Sequence, residues 1–162
     1  MLKGSGLERR GFPELALGWY EESSIWNLVE PSGLSWNIKS KRPFIVVKST
    51  ERYVYFILLT SQNRYFPCDK DDTYGIKGRV VEIDLRKCDK RDSPDCEWIE
   101  DKSYLFKRIL NRSCMFVLRI SRRFLEENAG VCGLCGESLF DDKLKEIIRR
   151  EMEYWTQESS ET

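Results

Sequence analysis

Two polar pairs, Arg42-Pro43 and Thr60-Ser61, bracket the stretch KRPFIVVKSTERYVYFILLTSQ from Lys41 to Gln62. The β-branched and aromatic runs between them, joined by a short polar turn, read as an antiparallel hairpin. Such a hairpin folds its ends back together and sets the two pairs side by side at one edge of a sheet. A guanidinium beside a hydroxyl at that edge suits a phosphate. The chain has no histidine, which removes the commonest general base and metal ligand near neutral pH and excludes Ser-His-Asp, Cys-His and His-zinc sites. Six cysteines remain, Cys68, Cys88, Cys96, Cys114, Cys132 and Cys135. A four-cysteine zinc site would have to join Cys132-Gly-Leu-Cys135 to distant cysteines, and a redox CxxC would need a thioredoxin-like βαβ setting that the chain lacks. The plainer expectation is a cysteine pair or two free thiols in the GVCGLCG turn ahead of the last helix. Cys88 and Cys96 flank a polar loop, and a disulfide closing it would contribute on the order of 2 to 3 kcal/mol through loop entropy. The acidic run at Asp69, Asp71 and Asp72 lacks the glycine and later glutamate of a calcium loop and reads as a solvated turn.

The elements that must position these residues are short. Strands are expected at Phe44 to Lys48, Tyr53 to Thr60, Arg79 to Leu85, Ser103 to Arg108 and Ser113 to Ile120, all rich in Val, Ile, Tyr and Phe. LALGWYEESSIWNLVE adds one or two more before a turn at Pro31 to Gly33. Polar loops rather than helices separate the strands, which favours a small antiparallel barrel or sandwich over a parallel α/β sheet. Two long loops, Asn63 to Gly78 and Arg86 to Lys102, are of a length that is usually functional or tied down. The expected helix is C-terminal. Phe140, Leu144, Ile147, Ile148, Met152 and Trp155 recur at helical spacing, with Ser138 and Asp141 as a cap-like start, and such a stripe packs on the core.

The expected organisation is therefore one mainly β domain over 1–162, with a loose arm at 1–12, a barrel at 13–124 and a helix at 137–157. Lys+Arg and Asp+Glu each number 27, so no global field draws nucleic acid or membrane and any basic surface is local. No apolar run reaches the roughly 18 to 20 residues that span a bilayer, and the N-terminus has no signal-like apolar segment, so the expectation is a soluble, cytoplasmic protein without a membrane partner. Charged residues make up 33% of the chain and glutamines are scarce, a bias common in thermophiles, whose intracellular proteins can carry disulfides.

The order of elements and their residues resembles the PemK/MazF-like toxins, small SH3-like barrels with a C-terminal helix that cleave single-stranded RNA. The resemblance rests on Gly18-Trp19, Lys41-Arg42-Pro43, the strand Phe44 to Lys48, Ile57-Leu58-Leu59-Thr60-Ser61, Val80-Val81-Glu82-Ile83-Asp84, and the helix Leu139 to Trp155. It implies that Arg42 and Thr60 are catalytic, acting without metal or cofactor. The 2′-hydroxyl attacks the adjacent phosphorus, Arg42 stabilises the developing phosphoryl charge and Thr60 positions the phosphate or relays a proton. Lys41, Ser61, Lys107 and Arg108 would line the substrate, and aromatics such as Trp36, Tyr65 or Tyr74 would stack unpaired bases. A homodimer and an antitoxin partner are implied as well. Lys107 stands where many members carry an acid, leaving Glu82, Asp84 and Glu100 as alternatives for it. The same residues also fit a non-catalytic SH3-like module that binds nucleic acid or a protein segment, or a structural homodimer. An acid or other base within reach of Arg42 and Thr60 separates catalysis from binding.

Overall fold

The computed structural model describes residues 12–20, 42–60, 81–89, 94–105, 108–110, 113–115 and 117–160. In chain order these form β1 (Ala16–Tyr20), β2 (Arg42–Ser49), β3 (Tyr53–Thr60), β4 (Glu82–Asp84), β5 (Lys102–Leu105), β6 (Arg108–Leu110), β7 (Ser113–Met115), β8 (Val117–Ser121), α1 (Arg122–Asn128), β9 (Ala129–Leu134) and α2 (Asp142–Ser160). Seven strands make one antiparallel sheet, curled into a half-barrel and ordered β9-β1-β2-β3-β5-β4, with β8 also paired to β3. The expected mainly β, barrel-like fold with a C-terminal helix is what the chain adopts.

The hairpin β2–β3 forms because its apolar runs suit a sheet covered on both faces, and Val54 to Leu59 are all buried. Its turn is fastened at Thr50. That residue's backbone N–H donates to the Tyr53 carbonyl at 2.8 Å, and its Oγ1 accepts from the Tyr53 N–H at 3.0 Å. Alternation along the two strands divides the core. Phe44, Val46, Phe56 and Leu58 join Leu118, Ile120 and Leu125 on one face, while Ile45, Ile57 and Leu59 join Ile83, Leu105, Val117 and the α2 stripe on the other. β3 is the hub: β2 runs along one edge, and β8 then β5 share the other.

Gly18 in β1 is required by close approach, since a Cβ there would come within 2.5 Å of the Phe44 ring. Gly133 in β9 is required more strictly, because its Cβ would lie 2.0 Å from the Asp89 carbonyl oxygen. Residues 87–89 cross β9 at that point, with Asp89 N–H donating to Leu134 O at 2.9 Å and Gly136 N–H to Lys87 O at 3.1 Å.

Several expectations are corrected. The GVCGLCG segment is not a turn, since its first residues complete β9 and pair with β1; β9 thus extends the sheet past the expected barrel limit at residue 124. Cys88 does not close a loop with Cys96. Instead Cys88 bonds Cys135 and Cys96 bonds Cys132, spanning 47 and 36 residues. These bonds consume the thiols that a CxxC-centred zinc site, a pair within the CxxC or free thiols would have needed. The reason is topological: β9 returns beside the strap 87–89, so partners distant in sequence are nearer than those eight apart. Ser113 to Ile120 is two strands, because Ser113–Met115 pairs with Arg108–Leu110 in a separate ribbon whereas Val117–Ser121 joins β3. Ser103 to Arg108 divides likewise. Helix α1 was not expected, since only Leu125 in it is buried and one buried residue makes no helical stripe. Its start is instead held by Arg122, which pairs with Glu126 at 2.7 Å and donates from Nη1 to the Thr50 carbonyl at 3.1 Å. The α2 cap is Asp141, whose Oδ1 accepts from Leu144 N–H at 2.8 Å, while Ser138 lies in a preceding 3-10 turn. The expected turns at 31–33 and 63–78, the latter with Asp69, Asp71 and Asp72, fall outside the described residues.

Candidate functional site

β2 and β3 are paired in register Phe44↔Leu58, so two residues further along each strand Arg42 and Thr60 stand at the same end of the hairpin. Arg42 is in turn paired with Tyr20 on β1, Thr60 with Tyr104 on β5, and Tyr104 with Glu82 on β4. Directly paired residues of an antiparallel sheet share a face. Tyr20, Arg42, Thr60, Tyr104 and Glu82 therefore form one transverse row across five strands, on the face that also carries Phe44 and Leu58. Neighbouring strands are about 4.8 Å apart, so Arg42 and Tyr104 flank position 60 at one strand spacing each, and Glu82 follows one spacing beyond Tyr104.

The row grades from dry to wet. Tyr20 is fully buried, and burial pushes its phenol pKa up, so it stays protonated. Arg42 is half-buried, and desolvation lowers its guanidinium pKa from the ordinary value. A partly desolvated cation of this kind gains more from an approaching anion than a fully solvated one does. Tyr104 is half-buried and Glu82 is exposed, with Lys102 Nζ 3.7 Å from its carboxylate. The row thus holds a cation, two phenols and an accessible acid around a threonine position.

Of the three acids open as alternatives, only Glu82 lies in the row. Asp84 accepts from the Arg86 backbone N–H at 3.0 Å and from its guanidinium at 2.9 Å, which holds its carboxyl well down, to about 2. It caps the 3-10 turn Leu85–Lys87 and is poorly suited to take a proton. Glu100 lies exposed in the loop before β5. Lys41, Ser61, Lys107, Trp36, Tyr65, Tyr74 and Cys68 fall outside the described residues. Arg108 opens the separate ribbon β6–β7, opposite Met115, and Cys114 pairs with Ile109 in the same ribbon. Sequence reading did not single out Tyr20 or Tyr104. Their signal was available only through pairing: once KSYL is set antiparallel to EID, Tyr104 and Glu82 fall opposite each other.

Among the described residues, no group of three or more acidic, cysteine or histidine side chains is disposed to hold a metal ion. Nor, among the described residues, is any helix long and apolar enough to cross a membrane. Comparison with family models, with curated proteins and with solved structures gave no match to this chain.

Proposed function

We propose that the chain is a metal-independent endoribonuclease acting on single-stranded RNA at the row around Arg42 and Thr60. The observation that supports this reading is the pairing that aligns Arg42, Thr60, Tyr104 and Glu82 at one end of the sheet. In the reaction, Glu82 takes the proton of a ribose 2′-hydroxyl as its oxygen bonds to the adjacent phosphorus. The bond from phosphorus to the 5′ oxygen breaks, and that oxygen leaves with a proton from the Tyr104 phenol or from water. The products are a 2′,3′-cyclic phosphate and a 5′-hydroxyl. Arg42 balances the charge gathering on the non-bridging oxygens, a role worth on the order of 2 to 4 kcal/mol for one well-placed donor, and Thr60 fixes the phosphate. An antitoxin partner, a homodimer and a cytoplasmic location belong to the same reading. With two buried disulfides among the described residues, a cytoplasmic location fits a hyperthermophilic source best.

A binding module is the second reading, and the observation favouring it is Lys102 beside Glu82, which would make the row a set of phosphate anchors. The deciding experiment incubates the protein, Arg42→Ala and Glu82→Gln with a long unstructured RNA in EDTA. Discrete cuts ending in 2′,3′-cyclic phosphate, weakened at least a hundredfold in both variants, are the expected result. Intact RNA with a gel shift that Arg42→Ala abolishes would transfer the assignment to binding, and neither cleavage nor a shift would end both readings.

A further inference from the structure

At the end of β1 remote from Arg42, on the opposite face of the sheet, lies a hollow of about 460 Å³ lined by Glu14, Leu15, Val47, Glu137, Phe140, Lys145 and Ile148. Two backbone irregularities build it. Pro13 to Ala16 form a turn closed by Ala16 N–H donating to Pro13 O at 3.0 Å, and Leu15 within it has φ 64°. That left-handed conformation strains a leucine where it would not strain a glycine. The second is a β-bulge in β2 between Val46 and Lys48, which places Val47 on the hollow's wall. Leu15 and Val47 are neighbours across the sheet, two residues beyond the Leu17↔Ile45 pair, and Phe140 and Ile148 supply the facing wall at the start of α2. Bulges and strained residues concentrate where a side chain must be re-aimed toward a ligand.

The rim is charged and unbalanced, with Glu14 and Glu137 against Lys145. None of the three takes part in an ion pair among the described residues. By contrast, the charged side chains further along α2 tie themselves to one another, Arg149 to Glu146 and Glu153, and Arg150 to Glu146. The hollow is partly open to solvent rather than enclosed, which suits an extended chain better than an engulfed small molecule. We propose that it is a docking site for a short peptide segment of a partner protein, in which one or two large apolar residues fill the floor and adjoining lysine or arginine side chains meet Glu14 and Glu137. This inference is independent of the RNA reading, because the hollow lies on the opposite face of the sheet from the Arg42 row.

The test titrates three fluorescein-labelled eight-residue peptides into the full chain, with cores Lys-Leu-Leu-Lys, Glu-Leu-Leu-Glu and Lys-Ser-Ser-Lys. The first should bind at least tenfold more tightly than either of the others. In the double variant Glu14→Lys, Glu137→Lys, whose substitutions are both at exposed positions, the preference should invert toward the Glu-Leu-Leu-Glu core. Leu15→Gly relieves the left-handed strain while removing floor, so it should keep the thermal midpoint within a few degrees yet weaken the first peptide at least fivefold. Equal binding of all three peptides, no binding at millimolar concentration, or a preference unchanged by the charge reversal would overturn the proposal. So would a concentration-dependent dimer that the charge reversal dissolves, because the occupant would then be a second copy of this chain.

Discussion

Arg119 and Arg42 sit on the same sheet in different surroundings, one enclosed and one half-buried at a strand end. Arg119, in β8, is 7% exposed and lies over the Tyr53 ring at 4.1 Å and the Trp155 ring at 4.6 Å. Around it, Glu151 of α2 accepts from the Val117 N–H at 2.7 Å, and Trp155 Nε1 donates to the Val117 carbonyl at 3.2 Å. Every polar atom named there is used to fasten the last helix to β8, whose edge strand would otherwise present unpaired backbone groups. Arg42, by contrast, stands at the end of its strand in a row that grows more accessible toward Glu82. A buried arginine enclosed by aromatic rings is a fastening, whereas Arg42 is only half-buried and stands at a strand end.

The largest effect should separate these two arginines by stability. Arg119→Ala removes two desolvated cation–π contacts and leaves a void, together about 3 kcal/mol. For a chain of this size that lowers the thermal midpoint by roughly 6 to 12 °C. Arg42→Ala should lower stability less than Arg119→Ala does, because Arg42 is half-buried and Arg119 is enclosed, while removing the proposed catalysis. Calorimetry on both variants checks the contrast, and equal midpoints would erase it.

A second contrast lies between the covalent ties across the sheet and its hydrogen-bonded ones. Cys88–Cys135 and Cys96–Cys132 tie the segment between β4 and β5 to β9, at the edge opposite in strand order from β4. Each closes a loop worth about 4 kcal/mol in the chain-entropy account, with less than the sum for both because the loops overlap. All four cysteines are at most 7% exposed, so a mild reductant should leave the bonds intact until the fold opens. Reduction in denaturant followed by refolding should then lower the midpoint markedly. Mass spectrometry after native thiol labelling tests the protection, and rapid labelling in the native protein would contradict the buried placement.

The hairpin and the last helix were legible because each carries its own period: Phe44 to Lys48 and Tyr53 to Thr60 as dense β runs, and Leu144, Ile147, Ile148 and Trp155 as a 3.6-residue stripe. Arg42 and Thr60 were legible as neighbours for the same reason, since a hairpin fixes its own ends. What was not legible depended on contacts distant in sequence. Glu151 looks like one more charge on a polar face until β8 is set beneath it. The cysteine pairing follows the return of β9, which Gly130, Gly133 and Gly136 disguised as a turn. Tyr104 and Glu82 meet only through the pairing of two short strands, and neither has a motif of its own.

The smallest effect expected is at Asp84, and it sharpens why Glu82 rather than its neighbour is assigned the proton. Both acids lie on β4 and are two residues apart, so they share a face, but the Arg86 hydrogen bonds hold the Asp84 carboxyl near 2. A carboxyl lowered in the folded state adds stability above its unfolded value near 4, and that contribution disappears as the pH falls through about 2. The pair is open to solvent, with the Arg86 side chain largely exposed and that of Asp84 partly so, so the gain is small and salt-screened. Asp84→Asn should therefore lower the midpoint by no more than a degree or two at pH 7 in low salt, less in 1 M salt, and least below pH 2, where the native carboxyl is itself protonated. RNA cleavage at pH 7 should be unchanged in the same variant. A loss comparable to that of Glu82→Gln would mean that the proton is taken at Asp84 after all, and that the row ends one pair further along β4.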